Sequence, residues 1–363
     1  MTEASGSRWG GWAVRIGLGL IAVVALIALA IRLWPLPSYA PYDLDARERA
    51  FVESISVPAF APDWSFRTYE SFDGTRLRWG ETGNAATARA TLIYVPGFNG
   101  TLDAYAEQFG LWARAGFHVV GLDMRGQGGS AGNLVQYGIE GERLPPFVQD
   151  GEVLNVRDMT GFVRSLGIRD RPVVLVGSSY GGLMSTLAIM AEPGLVDAYL
   201  ALVPAYQPKL PGKAQALERQ TRLVARLGLG ARYAPEQGDW RPFTTQPDWC
   251  PTGTRRIFHQ VAIQANDASQ RVGGVTFANI SDWLRLGREV VAGERGAFDV
   301  PTAMILVTDD ALVETAPARE LCAREPLCEL YEWDDVTHCV TLGTDADLMR
   351  VAGVVDELLE RVE

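Results

Sequence analysis

Short apolar runs alternate with amphipathic stretches along most of the chain. The runs are suited to strands buried on both faces, at residues 91–95, 119–122, 173–176, 199–203, 303–307 and 330–333. Helical spacing of apolar residues predicts helices between them, at residues 102–115, 153–166, 183–191 and 347–361. The alternation is typical of a mostly parallel sheet covered by helices, and a leading hairpin is predicted over residues 64–72 and 77–81.

The alternation stops between residues 204 and 299. Strand-like runs are missing there, and the pattern predicts helical pieces at residues 214–227, 255–265 and 280–291. A stretch of this length between two strands of one sheet predicts an inserted helical cap, which we call the cap segment (residues 204–299). The sheet-forming core then has a first part, residues 63–203, and a second part, residues 300–363.

The N-terminus has a different pattern. Every residue from 16 to 31 is apolar or glycine, and Arg15 and Arg32 lie at the two ends of this run. With the arginines counted as ends that reach the membrane surface, the segment approaches the ~20 residues that a bilayer requires. We therefore predict one transmembrane helix within residues 1–34, an uncleaved anchor, followed by a linker over residues 35–62.

A cleaved signal peptide is the alternative interpretation of the N-terminus. Ser38-Tyr39-Ala40 is compatible with a cleavage site, but the apolar run exceeds the ~7–15 residues usual in signal peptides. Arginines on both sides of the run determine its orientation only poorly. The prediction is a single-pass protein of the inner cell membrane, with its large domain on the extracytoplasmic side.

Composition and charge narrow the possible partners. The chain of 363 residues is 47% hydrophobic and 21% charged, as is usual for a folded protein, and its formal net charge is −11. Proteins that bind nucleic acid need a basic surface for the phosphates, so no nucleic-acid partner is expected. The sequence points to no particular protein partner.

The four cysteines are Cys250, Cys322, Cys328 and Cys339. They are too few and too scattered for a disulfide scaffold, and none forms the closely spaced pair that is typical of a zinc site. Cys322 and Cys328 flank a short loop, which a disulfide would close in an oxidising compartment. Two free thiols are an equally acceptable interpretation, and the sequence leaves both open.

The strongest local signal for chemistry is a strand that leads directly into a serine between two glycines. The run at residues 173–176 continues into Gly-x-Ser-x-Gly at residues 177–181, and a helix is predicted next. This order is the context of a nucleophile elbow, which presents its serine above the sheet. Ser179 is then the nucleophile, and the Tyr180 amide faces the developing oxyanion. A tight turn without catalytic function is the alternative.

A serine nucleophile needs a general base, and the chain has three histidines. His338 follows the last predicted strand, where a loop returns to the carboxyl edge of the sheet, and is the predicted base. His118 is expected to be a buried or strand-edge histidine, and His259 is expected to be a surface or packing residue of a cap helix, with contact to substrate as the alternative. Folds with a nucleophile elbow carry serine, acid and histidine in this order along the chain.

The acid should follow a strand between the serine and the histidine. Asp309 and Asp310 both follow the predicted strand at residues 303–307, and one of them is expected to be an ordinary loop residue. Asp334 and Asp335 lie too close before the histidine and are interpreted as solvated turn residues. The residues alone leave the choice between the first two aspartates open.

A second oxyanion donor is expected after the strand at residues 91–95. Glycines at positions 97 and 100 make a turn there, and the backbone amide of Phe98 is the predicted donor. An ordinary turn between a strand and a helix is the alternative. Serine-based chemistry of this kind requires no metal and no organic cofactor, and none is predicted.

Together these segments resemble the lysophospholipase and monoacylglycerol lipase group of α/β-hydrolases, and within it the membrane-associated bacterial lysophospholipases. The resemblance extends from about Phe66 to the C-terminus. Besides the elbow, it rests on Pro96-Gly97-Phe98, the Asp-x-Arg-Gly-x-Gly-x-Ser pattern at residues 123–130, residues 271–276 and residues 301–313. This chain departs from the group by Pro96 in place of a common histidine and by Val307 in place of a usual glycine before the acid.

The resemblance implies an α/β-hydrolase fold and assigns the catalytic acid to Asp310, with Asp309 beside it. It implies a serine hydrolase that cleaves carboxylic esters through an acyl-enzyme, with lysophospholipids or monoacylglycerols as the leading substrates. The alternatives are a short-chain carboxylesterase or a serine aminopeptidase on the same triad, and a catalytically inactive membrane-tethered scaffold. The expected partners are a small lipid or ester substrate and, through the N-terminal helix, the membrane.

Overall fold

The computed structural model of the protein describes residues 8–33, 42–132, 151–250 and 255–362. The strands of this part of the chain form one sheet and are, in chain order, β1 (Ser65–Glu70), β2 (Arg76–Thr82), β3 (Thr91–Val95), β4 (His118–Leu122), β5 (Val173–Ser178), β6 (Ala198–Leu202), β7 (Thr302–Val307) and β8 (Cys328–Trp333). Their order across the sheet is β1-β2-β4-β3-β5-β6-β7-β8.

Most of this sheet is parallel and buried on both faces. β1 pairs antiparallel with β2, and β2 pairs antiparallel with β4, whereas all the pairings from β4 to β8 are parallel. Every residue of β3, β4, β5, β6 and β7 is buried. Strands covered on both faces need apolar residues at nearly every position, which explains the continuous apolar runs. The predicted mostly parallel sheet is confirmed.

The helices described are α1 (Arg8–Leu33), α2 (Ala46–Glu53), α3 (Ala106–Arg114), α4 (Arg157–Leu166), α5 (Tyr180–Ala191), α6 (Ala214–Val224), α7 (Ile257–Asn266), α8 (Phe277–Val291), α9 (Ala316–Arg324) and α10 (Asp345–Leu359). Successive side chains of a strand point to opposite faces of the sheet. Ile93 of β3 and Leu175 of β5 accordingly pack in one core with α4, α5 and α8. Their neighbours Leu92 and Val174 pack in a second core with α3 and α10.

The helices α6, α7 and α8 lie between β6 and β7 in the chain, within the residues of the cap segment. α6 packs against α8, and α7 packs against the helical turn Leu102–Tyr105 that follows β3. Trp283 of α8 also donates a hydrogen bond to the carbonyl oxygen of Ala205, just after β6, at 2.6 Å. These contacts attach the cap segment to loops at the carboxyl edge of the sheet. Its boundaries as a separate domain stay a prediction.

The N-terminal apolar run does form a helix, α1, but the membrane prediction for it is wrong. Among the helices that the structure describes, none combines the length and the hydropathy that crossing a bilayer requires. The uncharged run from 16 to 31 measures about 24 Å at 1.5 Å per residue, short of the ~30 Å hydrocarbon core. The predicted span approached the required length only because Arg15 and Arg32 were included in it. The transmembrane anchor and the single-pass membrane localisation are corrected accordingly.

Two other predictions near the N-terminus fall outside the described residues. These are the possible cleavage site at residues 38–40 and the first part of the linker, residues 35–41. In the part of the linker that is described, α2 begins at a capping box. The Asp45 carboxylate accepts hydrogen bonds from the backbone amides of Arg47 and Glu48, and the Glu48 carboxylate accepts one from the Asp45 amide.

The Asp-x-Arg-Gly-x-Gly-x-Ser segment (residues 123–130) connects the loops that follow β3 and β4. The buried Asp123 carboxylate accepts hydrogen bonds from the amides of Leu102 and Gly129, both at 2.9 Å, and from Nε of Arg78 at 2.6 Å. Leu102 begins the helical turn after β3, so Asp123 joins the loops that follow two neighbouring strands. A buried carboxylate of this kind is tolerated because it is paired and hydrogen-bonded.

Arg125 of the same segment makes a second buried connection. Its side chain is 2% exposed and donates from Nε and Nη2 to the Asp158 carboxylate of α4, both at 2.7 Å. It also pairs with Asp73 in the turn between β1 and β2, at 2.7 Å. The guanidinium thus connects the loop after β4 to a helix and to the leading hairpin.

Replacing Asp158 by alanine should lower the free energy of unfolding by about 3–5 kcal/mol, because it leaves the buried Arg125 charge incompletely paired. Asp170→Ala is the matched control, since Asp170 is largely exposed in its pair with Arg171. Exposed pairs contribute about 0–1 kcal/mol. Urea unfolding followed by circular dichroism measures both variants. Equally small losses in the two would contradict the supporting role of Asp158.

Candidate active site

Ser179 lies between the end of β5 and the start of α5, in a backbone conformation that L-residues rarely adopt. Its φ is 51° and its ψ is −117°. Its amide donates to the Leu202 carbonyl at 2.9 Å, and its carbonyl accepts from the amides of Gly182 at 2.9 Å and Ala205 at 3.0 Å. Strain of this kind costs about 1–3 kcal/mol and persists where the surroundings enforce it. The conformation is that of a nucleophile elbow.

Two glycines provide the space that the elbow needs. A Cβ atom on Gly177 would lie 2.6 Å from Oγ of Ser185. A Cβ atom on Gly181 would overlap the carbonyl oxygens of Val95 and Pro96 at the end of β3. The Gly-x-Ser-x-Gly spacing therefore follows from the close packing of the turn against its neighbours.

His338 lies in the loop after β8, and its ring is buried against Ser179. Its Nε2 is 3.0 Å from Oγ of Ser179, and its Nδ1 is 2.7 Å from Oδ2 of Asp310. The three residues come from loops that follow β5, β7 and β8. The structure therefore joins the predicted nucleophile, base and acid in one chain of hydrogen bonds.

Asp310 is buried in the loop after β7, whereas its neighbour Asp309 is exposed. The second carboxylate oxygen of Asp310 accepts hydrogen bonds from the amides of Leu312 at 2.8 Å and Val313 at 2.9 Å. Burial by itself would raise the pKa of Asp310, but the interactions with His338 and the two amides outweigh it. The pKa of this carboxyl lies below its ordinary value, so the group stays ionised beside the imidazole.

The turn after β3, which we call the Phe98 loop (residues 96–100), lies directly over the serine. A Cβ atom on Gly97 would lie 3.1 Å from Cβ of Ser179. The ring of Phe98 lies 6.1 Å from the ring of Tyr180, edge to face, and 6.0 Å from the ring of Trp283. The two residues whose amides are predicted to bind the oxyanion are therefore neighbours beside Ser179.

Comparison with known proteins agrees with this geometry. The model of the serine aminopeptidase S33 family matches residues 86–345, which include all three residues of the hydrogen-bonded chain. The chain belongs to this family. Lysophospholipase L2 of Escherichia coli strain K12 is 25% identical over 297 residues, covering 77% of this chain and 81% of the relative.

Solved structures share the fold of this S33 family member. A soluble variant of monoglyceride lipase from Saccharomyces cerevisiae, in complex with a substrate analog, matches with a TM-score of 0.60 and 16% identity over 85% of this chain and 99% of its own. Monoacylglycerol lipase from Paleococcus ferrophilus matches with a TM-score of 0.56 and 17% identity, covering 78% and 99%. The α/β-hydrolase fold and the resemblance to the lysophospholipase and monoacylglycerol lipase group are confirmed. The protein is a serine ester hydrolase.

The other two histidines have different surroundings from His338. His118 is the first residue of β4, at the edge of the sheet opposite to Ser179, and its ring nitrogens contact Thr91 at 3.2 Å and Glu81 at 3.3 Å. His259 is buried within α7, and burial lowers the pKa of both imidazoles. In the described part of the chain, no cluster of three or more potential metal ligands occurs.

One disulfide near His338 was not indicated by the sequence. Cys339, next to His338, is disulfide-bonded to Cys250 of the cap segment, with Cα atoms 5.8 Å apart. These two cysteines are separated by 89 positions, so nothing in their spacing indicated a pair. Cys322 and Cys328 are also disulfide-bonded, which decides between the two interpretations of that short loop. The Cys250–Cys339 disulfide ties the loop of His338 to the cap segment.

Removing this disulfide should impair both stability and turnover. In the double variant Cys250→Ser/Cys339→Ser we expect the free energy of unfolding to fall by about 2–4 kcal/mol. We also expect kcat to fall by about tenfold, because the loop that positions His338 loses its covalent attachment. Urea unfolding and the turnover of a p-nitrophenyl ester measure the two effects.

The matched control is Cys322→Ser/Cys328→Ser. That disulfide lies at the start of β8, at the edge of the sheet opposite to His338, so its loss should leave kcat unchanged. Equal values of kcat in the two double variants would refute the positional role of the Cys250–Cys339 disulfide.

Proposed function

We propose that this serine ester hydrolase cleaves the ester bond of single-chain lipids, lysophospholipids or monoacylglycerols, with Ser179 as nucleophile, His338 as general base and Asp310 as the acid. The observation that carries the proposal is the chain of hydrogen bonds from Asp310 through His338 to Ser179, at 2.7 and 3.0 Å. Both distances lie within the reach that proton transfer requires.

In the first half of the reaction, Nε2 of His338 takes the proton of Ser179 while Oγ attacks the ester carbonyl carbon. A C–O bond forms to the serine, and the carbonyl electrons move onto oxygen. Collapse of this tetrahedral intermediate breaks the bond to the alcohol, which leaves with the proton held by His338. Water then attacks the acyl-enzyme with the same proton movements and releases the fatty acid.

Asp310 orients the imidazole and offsets its positive charge during both transfers. The hydrogen bond to Nδ1 keeps the proton of the neutral ring on that nitrogen, so that Nε2 is free to accept. The backbone amides of Leu312 and Val313 occupy the other oxygen of the carboxylate, which prevents it from turning away.

The amides of Phe98 and Tyr180 bind the oxyanion in this mechanism. Both residues adjoin Ser179, and Tyr180 begins α5, whose N-terminal end favours negative charge. Each donor of this kind accelerates acyl transfer by about 10²–10³-fold. The chemistry requires no metal or organic cofactor.

Two observations support a lipid substrate. The relative from Escherichia coli is a lysophospholipase, and two of the proteins that share the fold are lipases of monoglycerides. Rings of Phe98, Tyr180 and Trp283 cluster beside the serine, with Tyr180 and Trp283 at 4.6 Å. Apolar surroundings of this kind suit an acyl chain. The name of the family makes an aminopeptidase the second candidate.

The first experiment is labelling of the chain of 363 residues with a fluorophosphonate probe. We expect the wild-type protein to be labelled and both Ser179→Ala and His338→Ala to lose labelling. Turnover should fall in each variant by up to the order of 10⁶-fold. The neighbouring substitution Ser178→Ala is the matched control for the elbow and should keep labelling. Labelling of Ser179→Ala would contradict the assignment of the nucleophile.

Substrate class is tested on the same wild-type protein. Hydrolysis rates are compared for a lysophospholipid, a monoacylglycerol, a short p-nitrophenyl ester and an aminoacyl p-nitroanilide. Turnover of a long-chain lipid in preference to the short ester supports the proposal. Preference for the short ester or for the anilide would replace it by a carboxylesterase or an aminopeptidase, respectively.

The role of the acid has its own test. Asp310→Asn keeps the size of the side chain but stabilises the wrong tautomer of His338, so kcat should fall by about 10⁴-fold. Asp309→Asn is the matched control, because Asp309 is exposed one position away and should keep the activity of wild type. The two variants are compared by ester turnover per labelled active site. The reverse pattern would move the acid to Asp309.

A further inference from the structure

The Phe98 loop is held by buried glutamine side chains that the proposed mechanism does not use. Gln127, from the segment after β4, is fully buried, and Gln264 of α7 is 1% exposed. A buried amide group is costly unless its donors and its acceptor find partners. For both glutamines, those partners include atoms of the Phe98 loop.

Gln127 contacts two successive peptide groups of this loop. Its Oε1 accepts a hydrogen bond from the Asn99 amide at 2.5 Å, and its Nε2 donates a longer one to the Gly97 carbonyl oxygen at 3.4 Å. The Gly100 amide donates to the same oxygen at 3.1 Å. The Oε1 atom of Gln127 thus faces an amide and its Nε2 atom faces a carbonyl. These two contacts determine the orientation of the side chain.

The carbonyl of Gly97 and the amide of Phe98 belong to one peptide group. Because that group is planar and trans, its C=O and N–H point in opposite directions. Holding the Gly97 oxygen therefore sets the direction of the Phe98 N–H. Rotation of this single peptide would remove the donor from the site while the three residues of the triad stayed in place.

The other side of the loop is held by the cap segment. Asn99 adopts a left-handed conformation with φ 62°, which asparagine tolerates better than most residues. Its carbonyl oxygen accepts hydrogen bonds from Nε2 of Gln260 at 2.8 Å and of Gln264 at 3.3 Å. Its Oδ1 lies 2.9 Å from Nε2 of Gln264, whose Oε1 accepts from Nε1 of Trp240 at 2.8 Å. The loop is thus clamped between core and cap segment.

We propose that Gln127 is a positioning residue that orients the Gly97–Phe98 peptide toward the oxyanion, and that Gln264 couples this orientation to the cap segment. The inference rests on the proposed roles of Ser179 and Phe98. Neither glutamine makes or breaks a bond of the substrate. Both act by preorganising a donor whose hydrogen bond strengthens as negative charge develops in the transition state.

The decisive variant is Gln127→Met, which keeps the length of the side chain and removes both hydrogen bonds. In the full-length chain we expect kcat for a p-nitrophenyl ester to fall by about 10–100-fold, somewhat less than the loss of a whole oxyanion donor. KM should change by less than about threefold, because the ground-state carbonyl depends little on this donor. A trifluoromethyl ketone, which forms a tetrahedral adduct with the serine, should lose affinity by the same factor as kcat/KM.

Gln108→Met is the matched control. Gln108 lies on α3 and is 1% exposed, and its side-chain amide makes no hydrogen bond within the described residues. The same substitution there removes a buried glutamine without touching the Phe98 loop, so kcat and the affinity for the ketone should stay at the wild-type values. The pH dependence of kcat/KM should be unchanged in all these variants, since His338 keeps its partners.

Gln264→Met tests the coupling to the cap segment. We expect a smaller fall in kcat, about 3–10-fold, because the contacts of Gln127 remain. If the two glutamines orient the same peptide, the double variant should lose less than the product of the single losses. If the loss of kcat in the double variant equals the product of the two single losses, the effects are independent and coupling through one peptide is refuted.

Turnover is expressed per active site, counted by fluorophosphonate labelling, and the unfolding temperature of each variant is measured alongside. A lower unfolding temperature with wild-type kcat per labelled site and wild-type affinity for the ketone would give Gln127 a purely structural role and overturn the proposal. Full activity of Ser179→Ala would instead refute the proposed function. The two failures are distinguished by which variant keeps its activity.

Discussion

The hydrogen bond between Ser179 and His338 depends on a strained serine backbone, and much of the fold serves to maintain that strain. With φ at 51°, Ser179 stays in place because its peptide groups bond to Leu202 and Ala205 at the end of β6. A strained residue relaxes unless its surroundings hold it. The rigid parallel strands provide those surroundings, and they also bring the loops after β3, β7 and β8 to the same edge of the sheet.

Connections between the loops and the rest of the protein complete the site. The buried Asp123 bonds to the helical turn that begins at Leu102, and the Cys250–Cys339 disulfide joins the loop of His338 to the cap segment. Asn99, next to Phe98, bonds to helix α7 of the cap segment. Two of the loops that build the site are therefore attached to the cap segment, one through α7 and the other through Cys250.

A shared fold and a shared reaction are supported by different observations on this protein. TM-scores of 0.60 and 0.56 to the lipase structures demonstrate a common fold although the sequence identities are only 16% and 17%. The proposed chemistry depends instead on three side chains, Asp310, His338 and Ser179, which are joined by hydrogen bonds. One fold hosts many reactions, and the residues around the site decide which one occurs. In the proposed function, the aromatic rings of Phe98, Tyr180 and Trp283 take this role for an apolar acyl group.

The strands and the serine of the elbow could be predicted from the sequence, because apolar runs and Gly-x-Ser-x-Gly are local patterns. His338 was the predicted base because of its position after the last strand. The apolar run at the N-terminus is also a local pattern, but it led to a wrong prediction of a transmembrane helix. The predicted length of that helix depended on including Arg15 and Arg32. Tertiary structure alone decided the pairing of Cys250 with Cys339 and the role of Gln127 beside Gly97. These contacts join residues far apart in the chain, and only folding brings such residues within bonding distance.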